Sequence, residues 1–297
     1  MGLFFTLSPS LPYKNPKFFC IIPTELHRFN GRFSIKFYTL AKLEVFMKKE
    51  EVGHNFLARL GKTRLRPGGK VATDWLIANG DFNKEKKVLE VACNMGTTAI
   101  QLAKEYGCHI TGIDLDEEAL EKARANIKEN GVEELVQVQR ANATKLPFED
   151  NSFDIVINEA MLTMLPIEAK EKAIREYLRV LKPNGLLLTH DVMLNTDDAE
   201  GVIADLRDAI HITVTPLKKE DWKELFHHCG FRNVDTYSGE MSLLSPKGLI
   251  TDEGVLGAMK IISNALKPEN RETFTKMFKT FNDPEKKMGF IAVCSQK

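Results

Sequence analysis

The sequence predicts a doubly wound α/β sheet of seven strands, mostly parallel with an antiparallel last strand, with helices on both faces and helical insertions forming a cap. Three observations carry this. From Lys87 onward, short apolar runs alternate with amphipathic helical patterns, as they do when a parallel sheet is wound on both sides. Turn residues such as Pro183-Asn184-Gly185 separate the two kinds of segment. Two stretches, 192–217 and 240–286, are longer than a crossover needs and are the expected cap.

The strands are read in order as KVLEVA (87–92), HITGID (109–114), VQVQRA (136–141), FDIVINE (153–159), GLLLTHD (185–191), FRNVDTY (231–237) and MGFIAVC (288–294). Between the fourth and fifth, Ile167, Ile174, Leu178 and Leu181 share one helical face, which marks a crossover helix ended by the Pro-Asn-Gly turn.

With 297 residues, 43% hydrophobic and 28% charged, the chain can bury one substantial core, or a core plus a small cap. Forty-one basic residues balance 41 acidic ones, so no overall field draws the chain to nucleic acid or to an anionic membrane; a local patch stays open. Five scattered cysteines without a CxxC pair read as reduced thiols, which gives a cytoplasmic expectation, and no metal site is expected. Residues 1–46 differ in composition, holding 8 of the 18 phenylalanines and six basic residues against Glu25 and Glu44. This segment lacks helical or strand periodicity and any apolar run able to span a bilayer. It is read either as a non-native or disordered extension ahead of a start at Met47, or as a basic, aromatic arm for a membrane surface. Residues 47–297 are then the functional domain, and the sequence is silent on oligomeric state.

In a sheet of this kind a ligand lies beyond the carboxyl ends of the strands, where the first strand turns into the first helix. Residues 91–97 occupy that turn. Glycine suits it because the backbone takes positive φ, yet only Gly96 is glycine. Ala92 is the next smallest side chain and Asn94 the non-glycine residue best suited to the left-handed region, so the turn is still expected to form. Asp114 ends the second strand, where a carboxylate accepts from both hydroxyls of a ribose, and Asn142 follows the third, where an amide can donate to and accept from an adenine edge or simply hold a turn. A dinucleotide would want Asp114 as well. Glu90 and ANATKLPFEDNSFDIVINEA (141–160) are what an NAD-dependent oxidoreductase does not need.

With these residues, the chain resembles the class I S-adenosylmethionine-dependent methyltransferases over residues 60–297. VLEVACNMG is similar to the family's first motif, Asp114 in ITGIDLDEEAL to its ribose-binding acid, and Asn142 in ANA to its adenine-side position. LPFEDNSFDIVI and LKPNGLLL resemble the branch with ubiquinone and menaquinone methyltransferases. The resemblance implies a Rossmann-like fold, S-adenosylmethionine as cofactor, and a cofactor set that includes Leu115 beside Asp114 and Ala143 beside Asn142. RLRPGGKVATDWLI (64–77) is similar to the opening helix of phosphoethanolamine methyltransferases. Gly68 and Gly69 there offer free amides to the methionine carboxylate, or form an ordinary Pro-Gly turn, and Arg64 and Arg66 are read as solvated or as added charge. Glu90 and Glu159 stand at strand ends, where the cofactor's ammonium and sulfonium would want a carboxylate, or else in surface turns.

Methyl transfer from a sulfonium mainly needs alignment and exclusion of water. The expected general base is His190, at the end of the fifth strand beside Asp191, with a packed histidine as the alternative. The phosphoethanolamine enzymes have a catalytic histidine where this chain has Thr163, which puts that substrate in doubt. His54 and His211 are isolated and read as core or surface residues. Bases of nucleic acid are not expected acceptors, because NEAM stands where a DPPY-like motif would. The expected acceptor is a small, partly apolar molecule methylated at oxygen, nitrogen or carbon. A methyltransferase-fold partner subunit is the alternative, and an oxidoreductase a more distant one.

Overall fold

The computed structural model describes residues 23–29, 32–37 and 51–297 and divides into two units, Met1–Glu50 and Glu51–Lys297. In the first unit, β1 (Pro23–Phe29) and β2 (Arg32–Phe37) pair antiparallel, with a register shift between Pro23 and Glu25. This corrects the reading of residues 1–46 as lacking strand character. Periodicity misses the hairpin because its cue is the intervening Asn30-Gly31 dipeptide, the commonest two-residue hairpin sequence.

In the second unit, α1 (Gly53–Leu60) and α2 (Gly69–Asn79) precede the winding. Then come β3 (Lys87–Val91), α3 (Thr97–Tyr106), β4 (His109–Asp114), α4 (Glu117–Glu129), β5 (Val136–Arg140), β6 (Phe153–Glu159), a 3-10 turn at Leu162–Met164 and α5 (Ile167–Val180). The chain continues through β7 (Leu181–Leu194), α6 (Ala199–Ile210), β8 (Leu217–Lys218), α7 (Lys219–His228), β9 (Arg232–Glu240), α8 (Pro246–Ala265), α9 (Pro268–Phe281) and β10 (Met288–Gln296). The sheet order is β5-β4-β3-β6-β7-β10-β9, with the short β8 beside β7. β10 runs antiparallel to both neighbours, while β3 to β7 are parallel. The seven expected strands are all present. β7 begins four residues before the expected Gly185, and β8 is an addition too short to leave a periodic trace.

Two-residue alternation fixes the core. Leu89, Val156, Leu187 and Ile291 face one layer, with Tyr177 of α5 and Trp222 of α7, whereas Val88, Ile155, Leu188 and Ala292 face the other, with Leu76 of α2 and Leu102 of α3. A third cluster joins the cap helices: Phe56 and Leu60 of α1, Leu206 of α6, Ile261 of α8 and Met277 of α9. Local caps place the ends. Asp116 accepts from the amides of Glu118 and Ala119 to start α4, and Ser245 accepts from that of Gly248 to start α8. α8 is broken at Gly254, whose φ of 71° and ψ of 171° no helix accommodates.

Candidate active site

The β3–α3 turn is built from left-handed residues: Ala92 at φ 58°, Asn94 at φ 48° and Gly96 at φ 75°. The conformation therefore forms without a full set of glycines, with Ala92 carrying the strain that its Cβ brings there. Asp114 holds the turn from below, since its Oδ2 accepts from Asn94 N at 2.9 Å and its Oδ1 from Asp116 N at 3.0 Å. Each oxygen keeps a second lone pair. Asn142 closes a small turn of its own, its Oδ1 accepting from the amide and hydroxyl of Thr144, both at 2.9 Å. Its side-chain NH2 is the group left to donate, a narrower role than the two-way contact expected from sequence.

A cavity of about 370 Å3 opens at this edge, in the size range of small-molecule sites. It is lined by Glu90, Ala92, Asn94, Asp114, Leu115, Asn142, Ala143 and Glu159, so eight of the expected cofactor residues border one space. Gly96, Gly68, Gly69 and His190 are not on its lining.

The two glutamates differ in state. Glu159 accepts from Arg66 Nη1 at 2.7 and 2.9 Å, from Thr73 Oγ1 at 2.6 Å and from Thr98 Oγ1 at 3.1 Å, and its Oε2 lies 3.0 Å from His190 Nδ1. Burial opposes its charge, but Arg66 and the hydrogen bond with His190 hold the carboxyl well below the usual range. Glu90 caps α3, accepting from Ala99 N at 3.0 Å. Burial first, and then the charge of Glu159, push its carboxyl up to about 8. One acid has its cation; the other is neutral at neutral pH beside a cavity.

The structure corrects the readings of Gly68, Gly69 and His190. Gly68 N donates to His190 Nε2 at 2.8 Å, and a backbone amide can only donate, so that nitrogen carries no proton and Nδ1 is the one that donates to Glu159. His190 is fully buried with both nitrogens engaged, which makes it a brace rather than a base. The start of α2 is likewise filled: Lys70 N donates to Asp252 Oδ1 at 2.8 Å, and a Cβ on Gly69 would lie 2.5 Å from that oxygen. A carboxylate does bind this helix start, but it comes from α8. Lys62, wholly buried, pairs with Asp252 at 3.1 Å and Glu253 at 3.4 Å, while Glu253 also accepts from the amides of Thr63 and Arg64. Nor is Arg66 solvated: it is buried against Glu159, and Arg64 lines the cavity.

Beside the large cavity lies a chamber of about 70 Å3, mostly apolar, lined among others by Leu57, Leu206, Ile210, Met241 and Phe281. Its polar walls include Asp191, which accepts from Thr163 N at 3.1 Å, and Thr163, whose buried hydroxyl has no partner among the described residues. His54, Leu65, Ala160 and Met164 border both spaces. From the sequence, His54 is read only as an isolated core or surface residue. Burial lowers its imidazole from the ordinary value, against the opposing pull of Asp114 and Asp116.

A family model described as "Methyltransferase domain" matches residues 88–185. A Haemophilus influenzae protein of uncharacterized function is 73% identical over 251 residues, 84% of this chain and 100% of that protein. A sarcosine/dimethylglycine N-methyltransferase of Halorhodospira halochloris is 34% identical over 50% of this chain and 52% of its own length, so the likeness to that named relative spans about half of it. The chain belongs to the class I S-adenosylmethionine-dependent methyltransferases. Among solved structures, a Haemonchus contortus phosphoethanolamine N-methyltransferase 2 complexed with phosphomonomethylethanolamine and S-adenosylhomocysteine aligns at a TM-score of 0.66 and 16% identity, covering 89% of this chain and 63% of that one. A sarcosine dimethylglycine methyltransferase from Galdieria sulphuraria aligns at 0.62 and 18%, covering 79% and 92%. These two show the methyltransferase fold. This methyltransferase uses S-adenosylmethionine. Among the described residues, no helix is long and apolar enough to cross a membrane.

Proposed function

We propose that this methyltransferase modifies an oxygen or nitrogen of a small, mostly apolar acceptor seated in the 70 Å3 chamber, and that His54 takes the acceptor's proton. The observation that carries this is the position of His54 on the wall shared by the chamber and the cofactor-sized cavity. The cavity's residues fit the cofactor. Asp114 and Leu115 suit the ribose and adenine, Asn142 the adenine edge, and Arg64 the methionine carboxylate, while Glu90 suits the cationic end because it lacks a cation of its own. S-adenosylmethionine, when bound, supplies an electrophilic methyl group on a sulfonium. The remaining work falls to the chain: Leu65, Ala160 and Met164 keep water from the junction, and His54 accepts the proton that the new bond releases.

Changing Asp114 to Ala should cost about 1.5–3 kcal/mol of cofactor affinity, measured by calorimetric titration. The melting temperature should fall as well, because the amides of Asn94 and Asp116 lose their acceptor. His54→Gln should lower kcat by about 10²–10³ while leaving cofactor affinity within about twofold. Asp114 and Asp116 act on His54 directly, and Asp191, Arg64, Arg66, Glu90 and Glu159 are the other charged groups lining the two spaces it borders. A base acts when deprotonated, so kcat at saturating cofactor should rise with pH on a limb centred below the ordinary histidine value, and H54Q should lose that limb. Transfer from labelled cofactor across a panel of small apolar alcohols, phenols and amines tests the whole reading; bound cofactor with no transfer to any would favour a partner subunit.

A further inference from the structure

The cap helix α8 carries apolar side chains that nothing among the described residues covers. Val255, Leu256, Met259 and Leu266 are 60%, 81%, 64% and 63% exposed, with Ile262 and Ile250 also open. Residues 255, 259, 262 and 266 recur at helical spacing and form one stripe along the helix after the Gly254 break. Ala258, Ile261 and Ala265 hold the adjoining, inward side in the third core cluster, so the stripe is an outward face and not a displaced core. Scattered single apolar residues are ordinary on a surface; a contiguous stripe marks an interaction site.

Within residues 246–267 the exposed charges have one sign. Lys247, Lys260 and Lys267 are exposed along 246–267, whereas the two acids of that stretch, Asp252 and Glu253, are turned inward onto Lys62. The next acid, Glu269, lies beyond the turn on α9. Two copies of this face would oppose lysine to lysine, and six side chains fall well short of the roughly 20–30 residues a side of a stable interface. An anionic lipid surface needs neither limit met, because it accepts apolar side chains at any area and attracts each lysine. We infer that α8 docks this methyltransferase on anionic bilayers, lying in the headgroup region with Val255, Leu256, Met259 and Leu266 inserted. The contact is peripheral and is separate from the catalytic reading above.

Flotation of the full chain with vesicles of phosphatidylcholine, and of phosphatidylcholine mixed with phosphatidylglycerol, tests this. The chain should float with the anionic vesicles and much less with the neutral ones. L256E/M259E should lower the floated fraction's partition coefficient about tenfold or more, and K260E several-fold, in line with roughly 1 kcal/mol of attraction per lysine. Both positions are exposed, so unchanged cofactor affinity and melting temperature certify the fold of the double variant. Absence of flotation would overturn the proposal. So would equal flotation of L256E/M259E, which would place the contact elsewhere in the chain, or a vesicle-free dimer by light scattering that this variant dissolves, which would make the face a protein interface.

Discussion

Replacing Lys62 with methionine is expected to lower the unfolding free energy by about 3–5 kcal/mol, read from urea denaturation. The loss follows from two buried carboxylates depending on one ammonium. Lys62 is wholly enclosed with Asp252 and Glu253, and methionine fills a similar volume without the charge, which leaves both anions uncompensated. These acids also accept from the amides of Thr63, Arg64 and Lys70, so the clamp ties α8 to the segment bordering the cofactor cavity. The variant should therefore bind S-adenosylmethionine more weakly as well. K62M/D252N/E253Q should recover most of the stability, because neutral side chains keep the shape and remove the stranded charge. A single variant as stable as the wild type would mean that water reaches these acids.

Cofactor affinity is expected to rise with pH until about 8, approaching tenfold per unit on the steepest part. The sign follows from Glu90. In the free protein its carboxyl is pushed up to about 8 by burial and by Glu159, so it is protonated at neutral pH. A cation bound beside it favours the ionised form, and binding must then release a proton. Calorimetry in two buffers of different ionisation enthalpy counts that proton, and S-adenosylhomocysteine, with one positive charge fewer, should release less of one. E90Q should flatten the dependence. Folding carries the opposite signature. The folded value of Glu90 lies above its unfolded one, so its contribution is present in acid and lost as pH rises towards 8. Without ligand, E90Q should be more stable than the wild type at pH 8, and the difference should shrink towards pH 4.5. A wild-type affinity that is flat across this range would remove Glu90 from the cationic end.

What was legible in the sequence was local. The left-handed turn at 92–96 could be read because small size and asparagine chemistry act on the residue's own backbone. The strands could be read because those of a sheet covered on both faces are short, nearly continuous apolar runs set between helical patterns. The role of His190 could not, since its partners Gly68 and Glu159 lie 122 and 31 residues away and arrive only when α2 packs on the sheet and β6 pairs with β7. Arg66 was misread for the same reason: an arginine beside two glycines looks solvated until a glutamate 93 residues on is laid against it. His54 has no motif around it, and its place follows from where α1 rests, which periodicity does not specify.

The position of β10 has a consequence for how the chain is made. Residues 288–296 lie between β7 and β9 and are hydrogen-bonded along both sides. Every other strand of the sheet leaves the ribosome first, so during synthesis β7 and β9 each present an open edge with nothing between them. The half of the sheet holding the β3–α3 turn can assemble while this gap persists. Closure waits for the last strand, and truncation before Met288 should leave two adhesive edges in place of a finished sheet.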